Sequence, residues 1–351
     1  MITDIRLQSF RSYGDAAFDI DSGVNIIVGP NASGKTNLLE AVLLLATGSS
    51  YRAKDSEMIG FDKPWARLDA HDDKGSVRTL KLFEAATGRK EFEIHGKTLK
   101  RLSFKDSLPV VLFEPNHLLL LTGSPQGRRD YLDDLLEQTE PGFGVLRRQY
   151  KRTLAQRNSL LKQPNANPMQ LFPWNIRLSE LAGQIVRGRL ALIETLSTTL
   201  GVLYGGLSKT TTGVDIQYIT RFNTDNYESQ LLQKLESNLA LEQLRGFTAY
   251  GPHRDDMVIL FDGRPASETA SRGETRTAVL ALKIMELESI AVARANAPLL
   301  LLDDVFSELD GARRKALTSY LKNYQTFITT TDADVVLQNF TETCRIIPLG
   351  G

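Results

Sequence analysis

The rhythm of apolar and polar positions changes several times along this chain. Residues 2–8, 15–20 and 24–28 read as short strands separated by turn residues. The third ends as VNIIVG, a compact apolar run closed by glycine, the pattern of a buried strand. TNLLEAVLLLATG then takes a helical period, with Gly48 as its stop. From 65 to 113 the spacing is strand-like again in WARLDAHD, VRTLKLFEA, KEFEIHGKTL and LPVVLFEP, and EIHGKTL reads as a hairpin with glycine at the tip. After TGSPQGRRD, from Arg129 to about Ala240, most segments are helical: DYLDDLLEQ, FGVLRRQYKRTLAQRNSLLKQ, WNIRLSELAGQIVRGRLALIETLSTTLGVLY and YESQLLQKLESNLALEQL. QPNANPMQLFP is a loop between two of these helices, and the strand-like VDIQYIT interrupts the series.

From Gly246 strands return, in FTAYG and in the hairpin DMVILFDGRPA. The helix TRTAVLALKIMELESIAVARA, the strand PLLLLDD, the helix ARRKALTSYLKNY and the strands QTFITTT and CRIIPL follow. The pattern predicts a mixed α/β unit made from both chain ends, residues 1–122 and 245–351, with a largely helical lobe inserted over 123–244.

Composition narrows the class. The chain has 351 residues, 42% apolar and 24% charged, the mix of a soluble globular protein with enough length for a sizeable core. Its single cysteine, Cys344, excludes an internal disulfide framework, suits a reducing cytoplasm, and falls in an apolar stretch that reads as a core strand. No apolar run reaches bilayer-spanning length, so no membrane is expected as a partner, and MITDIRLQSFRSYG lacks the pattern of a secretory signal. Net charge is zero, but its distribution is uneven. Between Pro141 and Leu190 nine Lys/Arg face one acid, Glu180, a local excess of +8.

The most specific chemistry lies at Gly29–Thr36. GPNASGKT fits G-x-x-x-x-G-K-[ST], and it follows a predicted strand and opens a predicted helix, as a phosphate-binding loop must. Gly29, Pro30, Asn31, Ala32, Ser33 and Gly34 would curl the backbone so that N–H groups point at phosphate oxygens. Lys35 would reach the β- and γ-phosphates, Thr36 would ligate Mg²⁺, and the helix N-terminus adds partial positive charge. PLLLLDD would deliver Asp303 and Asp304 to the C-terminal end of a buried strand, the end at which open α/β sheets bind ligands. Asp303 would hold Mg²⁺, directly or through water, and Asp304 would polarise the attacking water. Adjacent strand residues point to opposite faces, so two acids can do two jobs.

An early phosphate-binding loop, a late strand ending in two acids, and SRGETRT (271–277) shortly before it resemble the ABC-type ATPases of DNA maintenance. SRGE matches their S-x-G-[QE] signature, and FSELD resembles the D-loop. The resemblance narrows to the RecF family through LQSFRSY (7–13), GPNASGKTNLLEA (29–41), SYRAKDSEMI (50–59), LFEPNHLLLLTGSPQGRRDYLD (112–133), YGPHRDDM (250–257) and LLLLDDVFSELDGARR. Departures are Glu274 and Thr275 where the family usually has glutamines, and PNH (115–117) where it often has Pro-Glu-Asp.

The resemblance implies a P-loop ABC-type ATPase head with a helical arm, binding ATP and Mg²⁺. It implies that Ser271 and Gly273 contact the γ-phosphate on a second subunit, so that ATP drives a homodimer. It also implies nucleotide contacts from Arg11 and from Thr330 or Thr331. As a RecF-like protein the chain would bind DNA when ATP is bound, slowly hydrolyse it, and work with RecR and RecO to place RecA at single-strand gaps coated by SSB.

The residues add independent support for the DNA part. Arg147/Lys151 and Arg148/Arg152 are i, i+4 pairs, a row suited to phosphates of duplex or gapped DNA without reading bases. A solvated helix face is the plainer account of that row. Arg128, Arg129 and Asp130 read either as contacts across a dimer or as surface charges. His253 is open to a metal or catalytic role, or to a structural one. A transport or motor ATPase, and a structural-maintenance head with a truncated coiled coil, are the competing functional readings.

Overall fold

The computed structural model describes residues 1–50, 52–84, 89–163, 167–332, 338 and 344–350. Tyr51, residues 85–88 at the end of VRTLKLFEA, and residues 164–166 of the expected interhelical loop lie outside them. The chain divides into two compact units, one of residues 1–118 and 286–351, the other of residues 119–285.

The first unit opens with strands β1 (Ile2–Phe10), β2 (Tyr13–Asp19) and β3 (Val24–Val28), then helix α1 (Lys35–Thr47). Helix α1 ends where Gly48 takes a left-handed conformation and its N–H caps the Leu44 carbonyl, the stop the glycine predicts. Strands β4 (Trp65–Asp72), β5 (Val77–Phe83), β6 (Arg89–Ile94), β7 (Lys97–Leu99) and β8 (Val110–Phe113) follow. Six of these form an antiparallel sheet in the order β2-β1-β4-β5-β6-β7. The β6–β7 turn carries positive φ at both His95 and Gly96, as a tight two-residue hairpin requires.

The second unit begins with helices α2 (Pro125–Thr139), α3 (Phe143–Leu161) and α4 (Pro168–Ser208). Strand β9 (Val214–Ile219), helices α5 (Tyr227–Ser237) and α6 (Leu239–Arg245), strands β10 (Asp256–Phe261) and β11 (Arg264–Pro265), and the short helix α7 (Ala266–Thr269) complete it with the first part of α8 (Arg272–Arg294). The domain boundaries differ from the expected 122/123 and 244/245. Strand β10 pairs antiparallel with β9 over six residues, which ties 246–285 to the helical lobe rather than to the head.

FTAYG is not a strand. Its backbone donors are taken by side chains: Thr248 N–H reaches Asn158 Oδ1 at 2.8 Å and Ala249 N–H reaches Glu242 Oε1 at 2.7 Å.

Helix α4 is longer than expected because Asn167 caps it through a capping box, with Pro168 at the first position. It contains an 18-residue window of mean hydropathy 1.4, long and apolar enough to cross a membrane, contrary to expectation. Its second half is amphipathic. Leu192, Ile193, Leu196, Leu200 and Tyr204 are buried at helical spacing, and Tyr204 meets Phe261 of β10 edge-on at 5.3 Å. Between them lie Glu194, Thr195, Thr198 and Thr199, all exposed.

Arg128 and Arg129 are not loose surface charges. Arg128 forms a bidentate pair with Asp256 at 2.8 Å, and Arg129 donates to the Asp255 carbonyl, so both hold β10 to α2. His253 is structural. Its Nδ1 lies 2.6 Å from Tyr150 Oη and its Nε2 3.1 Å from the Thr248 carbonyl, the pattern of a neutral ring.

Burial pushes the His253 imidazole down to about 4. The unfolded chain takes the proton near pH 6.5, and the folded chain resists it until about 4. Stability is therefore full above the higher value and falls as pH drops through that window, by up to about 3 kcal/mol. A His253→Gln variant should lose less melting temperature than wild type between pH 7 and 4.5. Equal slopes would contradict this.

The first unit resumes with strand β12 (Leu299–Asp303), short helix α9 (Val305–Glu308), helix α10 (Gly311–Leu321), and strands β13 (Thr326–Thr330) and β14 (Arg345–Pro348). Cys344 precedes β14 and is half-buried, so it is not a core strand residue as expected; apolar neighbours alone do not set burial at a strand's edge. A parallel sheet of order β14-β3-β13-β12-β8 draws strands from both chain ends. Every residue of β12 and β13 is buried, which is why their sequences are unbroken apolar or threonine runs.

Candidate nucleotide site

Strand β3 leads into the loop Gly29–Gly34, and Gly34 sits at the start of α1 with φ +97°. A side chain at Gly34 would lie 2.9 Å from Tyr13 Oη, and one at Gly29 would lie 2.5 Å from the Leu349 carbonyl. Both positions therefore require glycine. Pro30, Asn31 and Ala32 are exposed at the loop tip, and Ala32 takes φ +66°. Tyr13 Oη donates to the Gly34 carbonyl at 3.0 Å, and burial pushes its phenol up to about 12. Ser33 Oγ is buried without a hydrogen-bond partner among the described residues, an unmet polar atom inside the cradle.

Lys35 is buried and folded into its own loop. Its Nζ donates to the Gly29 carbonyl at 2.7 Å and the Pro30 carbonyl at 2.8 Å. The ammonium is thus held at the centre of the curl, beside the N-terminus of α1.

Parallel pairing sets Asp303 opposite Thr329 and Val28 opposite Thr330, so β13 lies between the P-loop strand and the acid-bearing strand. Thr36 Oγ1 nevertheless reaches across to Asp303 Oδ1 at 3.0 Å. These residues stand 267 apart in sequence. Thr329 Oγ1 also donates to Asp303 Oδ1 at 2.7 Å, and it accepts the Asp304 N–H at 2.9 Å. The expected nucleotide contact is Thr330 or Thr331, whereas the hydroxyl that meets Asp303 belongs to Thr329. The Thr330 hydroxyl instead closes a local turn onto the Asp332 backbone. Strand alternation sets Thr329 on the opposite face from Thr330.

Asp304 takes a left-handed conformation, φ +52°, which turns it out of the strand. Burial pushes its carboxyl up from the ordinary aspartate value, and the Asp303 charge pushes the same way. A raised carboxylate turned out of the strand at the cavity suits a water-polarising group. A cavity of about 520 Å³ opens over these residues, lined by Thr36, Asp303, Asp304, Arg52, Glu114 and Asn116. Nothing in the sequence spacing of Arg52 and Glu114 marks them as cavity residues.

The donor set fits Mg²⁺. One hydroxyl and one carboxylate are the few hard oxygens a magnesium site takes from protein, with phosphates and water supplying the rest. Among the described residues no cluster of three or more His, Cys, Asp and Glu offers a fuller protein cage.

Arg11, expected at the nucleotide, sits at φ +52° in the β1–β2 turn and pairs with Glu40 of α1 at 3.0 Å. Ser271 and Gly273 belong to the second unit, at the start of α8. There Ser271 N–H donates to Glu274 Oε2 at 2.8 Å and Glu274 N–H to Ser271 Oγ at 3.3 Å, a reciprocal cap. These bonds hold the Glu274 carboxyl below its usual range. The unusual acid in the signature therefore completes a helix start.

The expected DNA-binding row splits. Arg148, Lys151 and Arg152 are exposed on α3. Arg147 is buried and meets four carboxylates of α2: Asp130, Asp133, Asp134 and Glu137, at 2.6 to 3.2 Å. It is removed from the phosphate-facing set because the helix buries that side, which i, i+4 spacing does not reveal. Elsewhere in the same basic stretch Arg189 is likewise buried against Asp133.

Three comparisons with known proteins bear on the family and the fold. The family described as the RecF/RecN/SMC N terminal domain matches residues 1–348. The DNA replication and repair protein RecF of Heliobacterium modesticaldum is 36% identical over 342 residues, covering 94% of this chain and 92% of that protein. The RecF of Symbiobacterium thermophilum is 37% identical over 345 residues, covering 95% and 92%. Among solved structures, the recombination mediator protein RecF-ATPrS of the RecFOR pathway superposes with a TM-score of 0.87 at 29% identity, covering 99% of this chain and 97% of that one. An Smc head bound to the C-winged helix domain of ScpA, at 17% identity and a TM-score of 0.53, covers 96% and 91% and shares the fold.

Proposed function

This chain belongs to the RecF family, and from that premise we propose that it is an ATP-dependent DNA-binding protein of replication and recombinational repair. It acts in the cytoplasm. ATP binding closes a homodimer on duplex DNA beside single-strand gaps, hydrolysis releases it, and the closed form works with RecO and RecR so that RecA is placed on SSB-coated DNA.

The observation that carries this reading is the Thr36–Asp303 contact next to a lysine-centred phosphate loop. Lys35 and the loop N–H groups bind the phosphates. Thr36 and Asp303 would hold Mg²⁺, whose charge would offset that of the phosphate oxygens. Asp304 polarises water for transfer of the γ-phosphoryl group, a reaction that needs positioning and charge more than covalent help. Ser271 and Gly273 supply the start of α8 to the nucleotide of a second subunit.

The test is the solution mass of Asp304→Asn with and without MgATP. It should double with MgATP, and Ser271→Arg in the same chain should keep it at the monomer mass. A single mass under every condition, DNA included, would remove the clamp reading.

DNA contact rests on Arg148, Lys151 and Arg152. Replacing all three with alanine should weaken binding alike across sequences and lower the slope of log affinity against log salt by roughly 2 to 3. An unchanged slope would place the DNA elsewhere.

A further inference from the structure

Glu40 is the only acid in α1, a helix that after Lys35 is otherwise built from leucine, alanine, valine and small polar residues. It is almost fully buried and lies one helical turn beyond Thr36, on the same face. A buried carboxylate is an expensive packing choice, because apolar replacements of buried ion pairs are often neutral or stabilising.

Both its oxygens are engaged by loops that border the nucleotide site. Oε2 accepts from Arg11 Nε at 3.2 Å and NH2 at 3.0 Å. Oε1 accepts from Ser50 Oγ at 2.5 Å. Ser50 Oγ in turn accepts the backbone N–H groups of Arg52, at 2.9 Å, and Ala53, at 3.2 Å.

Each loop meets the site by a separate route. The Arg11 turn is joined to the P-loop through Tyr13 Oη on the Gly34 carbonyl, and to α1 through Asn37 Nδ2 on Ser12 Oγ at 3.0 Å. Arg52 lines the cavity shared by Thr36, Asp303 and Asp304. Glu40 occupies one edge of the Arg11 fork, Nε with NH2. NH1 has no partner among the described residues, and the side chain is 24% exposed. A guanidinium fixed on one edge stays pre-organised to bind an oxyanion with the other.

We propose that Glu40 is the positioning residue of the nucleotide site: it aims Arg11 and, through Ser50, fixes the backbone that carries Arg52, so that both cations serve the phosphates of a bound nucleoside triphosphate. This inference rests on the nucleotide reading given above. Glu40 acts through the two arginines and touches no phosphate itself.

The test measures MgATP affinity and thermal unfolding for wild type, Glu40→Ala, Glu40→Gln, Ser50→Ala, Arg11→Ala and the Arg11→Ala/Glu40→Ala pair. Glu40→Ala should weaken MgATP binding about tenfold or more, the scale of other outer supporting groups. Glu40→Gln, which can keep one of the two contacts, should recover part of the loss. The loss should shrink in the Arg11→Ala background, because the residues act as one unit.

Folded Glu40→Ala and Glu40→Gln with wild-type affinity would overturn the proposal. So would a loss of equal size with and without Arg11, which would show that Glu40 does not act through that arginine. If Glu40→Ala does not fold, Glu40→Gln and Ser50→Ala decide by the same criteria. A wild-type chain that takes up no MgATP defeats the nucleotide reading itself, and the positioning role with it.

Discussion

Lys35→Ala should abolish useful nucleotide binding, with MgATP affinity falling at least about 100-fold, near 3 kcal/mol. The Lys35 ammonium is buried and already sits between the Gly29 and Pro30 carbonyls at 2.7 and 2.8 Å. A phosphate chain entering the curl meets a positive charge that has lost most of its water. Removing it leaves two inward-facing carbonyls with nothing to offset their repulsion of an anion. Lys35→Arg should not rescue, because the planar guanidinium is larger and its donors are fixed in a fork. Calorimetric titration with MgATP reads the result. A variant within threefold of wild type would show that the loop binds something other than phosphate.

The largest stability effect is expected from Glu242→Ala. Glu242 and Arg157 are both wholly inaccessible to solvent and lie 2.7 Å apart. Arg157 also donates to Asn175 Oδ1 and Thr248 Oγ1, each at 2.7 Å, and Glu242 Oε1 takes the Ala249 N–H. One ion pair thereby ties α3, α4, α6 and the 248–249 segment. Burial pushes the Arg157 guanidinium down, and Glu242 opposes that shift. Truncating the acid leaves a guanidinium in the core with no counter-charge, a change that costs about 3–5 kcal/mol. The double change Arg157→Met/Glu242→Leu should cost less than Glu242→Ala alone, since no charge is stranded. Urea unfolding of both variants measures the difference. A Glu242→Ala loss below about 1 kcal/mol would mean that water enters the site.

The P-loop, LLLLDD and the two-ended head were legible because their chemistry is local. A motif fixes Lys35 and Thr36, and an apolar run ending in acids fixes where Asp303 must emerge. Long-range partners were not legible. Arg147 and Arg148 are adjacent and chemically alike, yet one faces four acids of α2 and the other faces solvent. Their difference lies in how α3 packs on α2, which no spacing within α3 encodes. FTAYG has strand composition, but side chains from Asn158 and Glu242 claim its donors. The boundary near 245 moved because β10 found its pairing partner in β9. Thr329 was missed for a smaller reason, since in a run of threonines only the pleat decides which hydroxyl meets Asp303.

The parallel sheet of the head has a consequence for the ribosome. Its central strands come from opposite stretches of the gene, and the Thr36–Asp303 pair closes across 267 residues. At about 5–20 residues per second, roughly 13 to 53 s separate the synthesis of the two. Throughout that interval the nascent chain carries the Gly29–Thr36 loop without Asp303, while the helical unit has time to fold. A message cut short before the codon for Asp303 therefore yields a chain whose Thr36 has lost the carboxylate it pairs with.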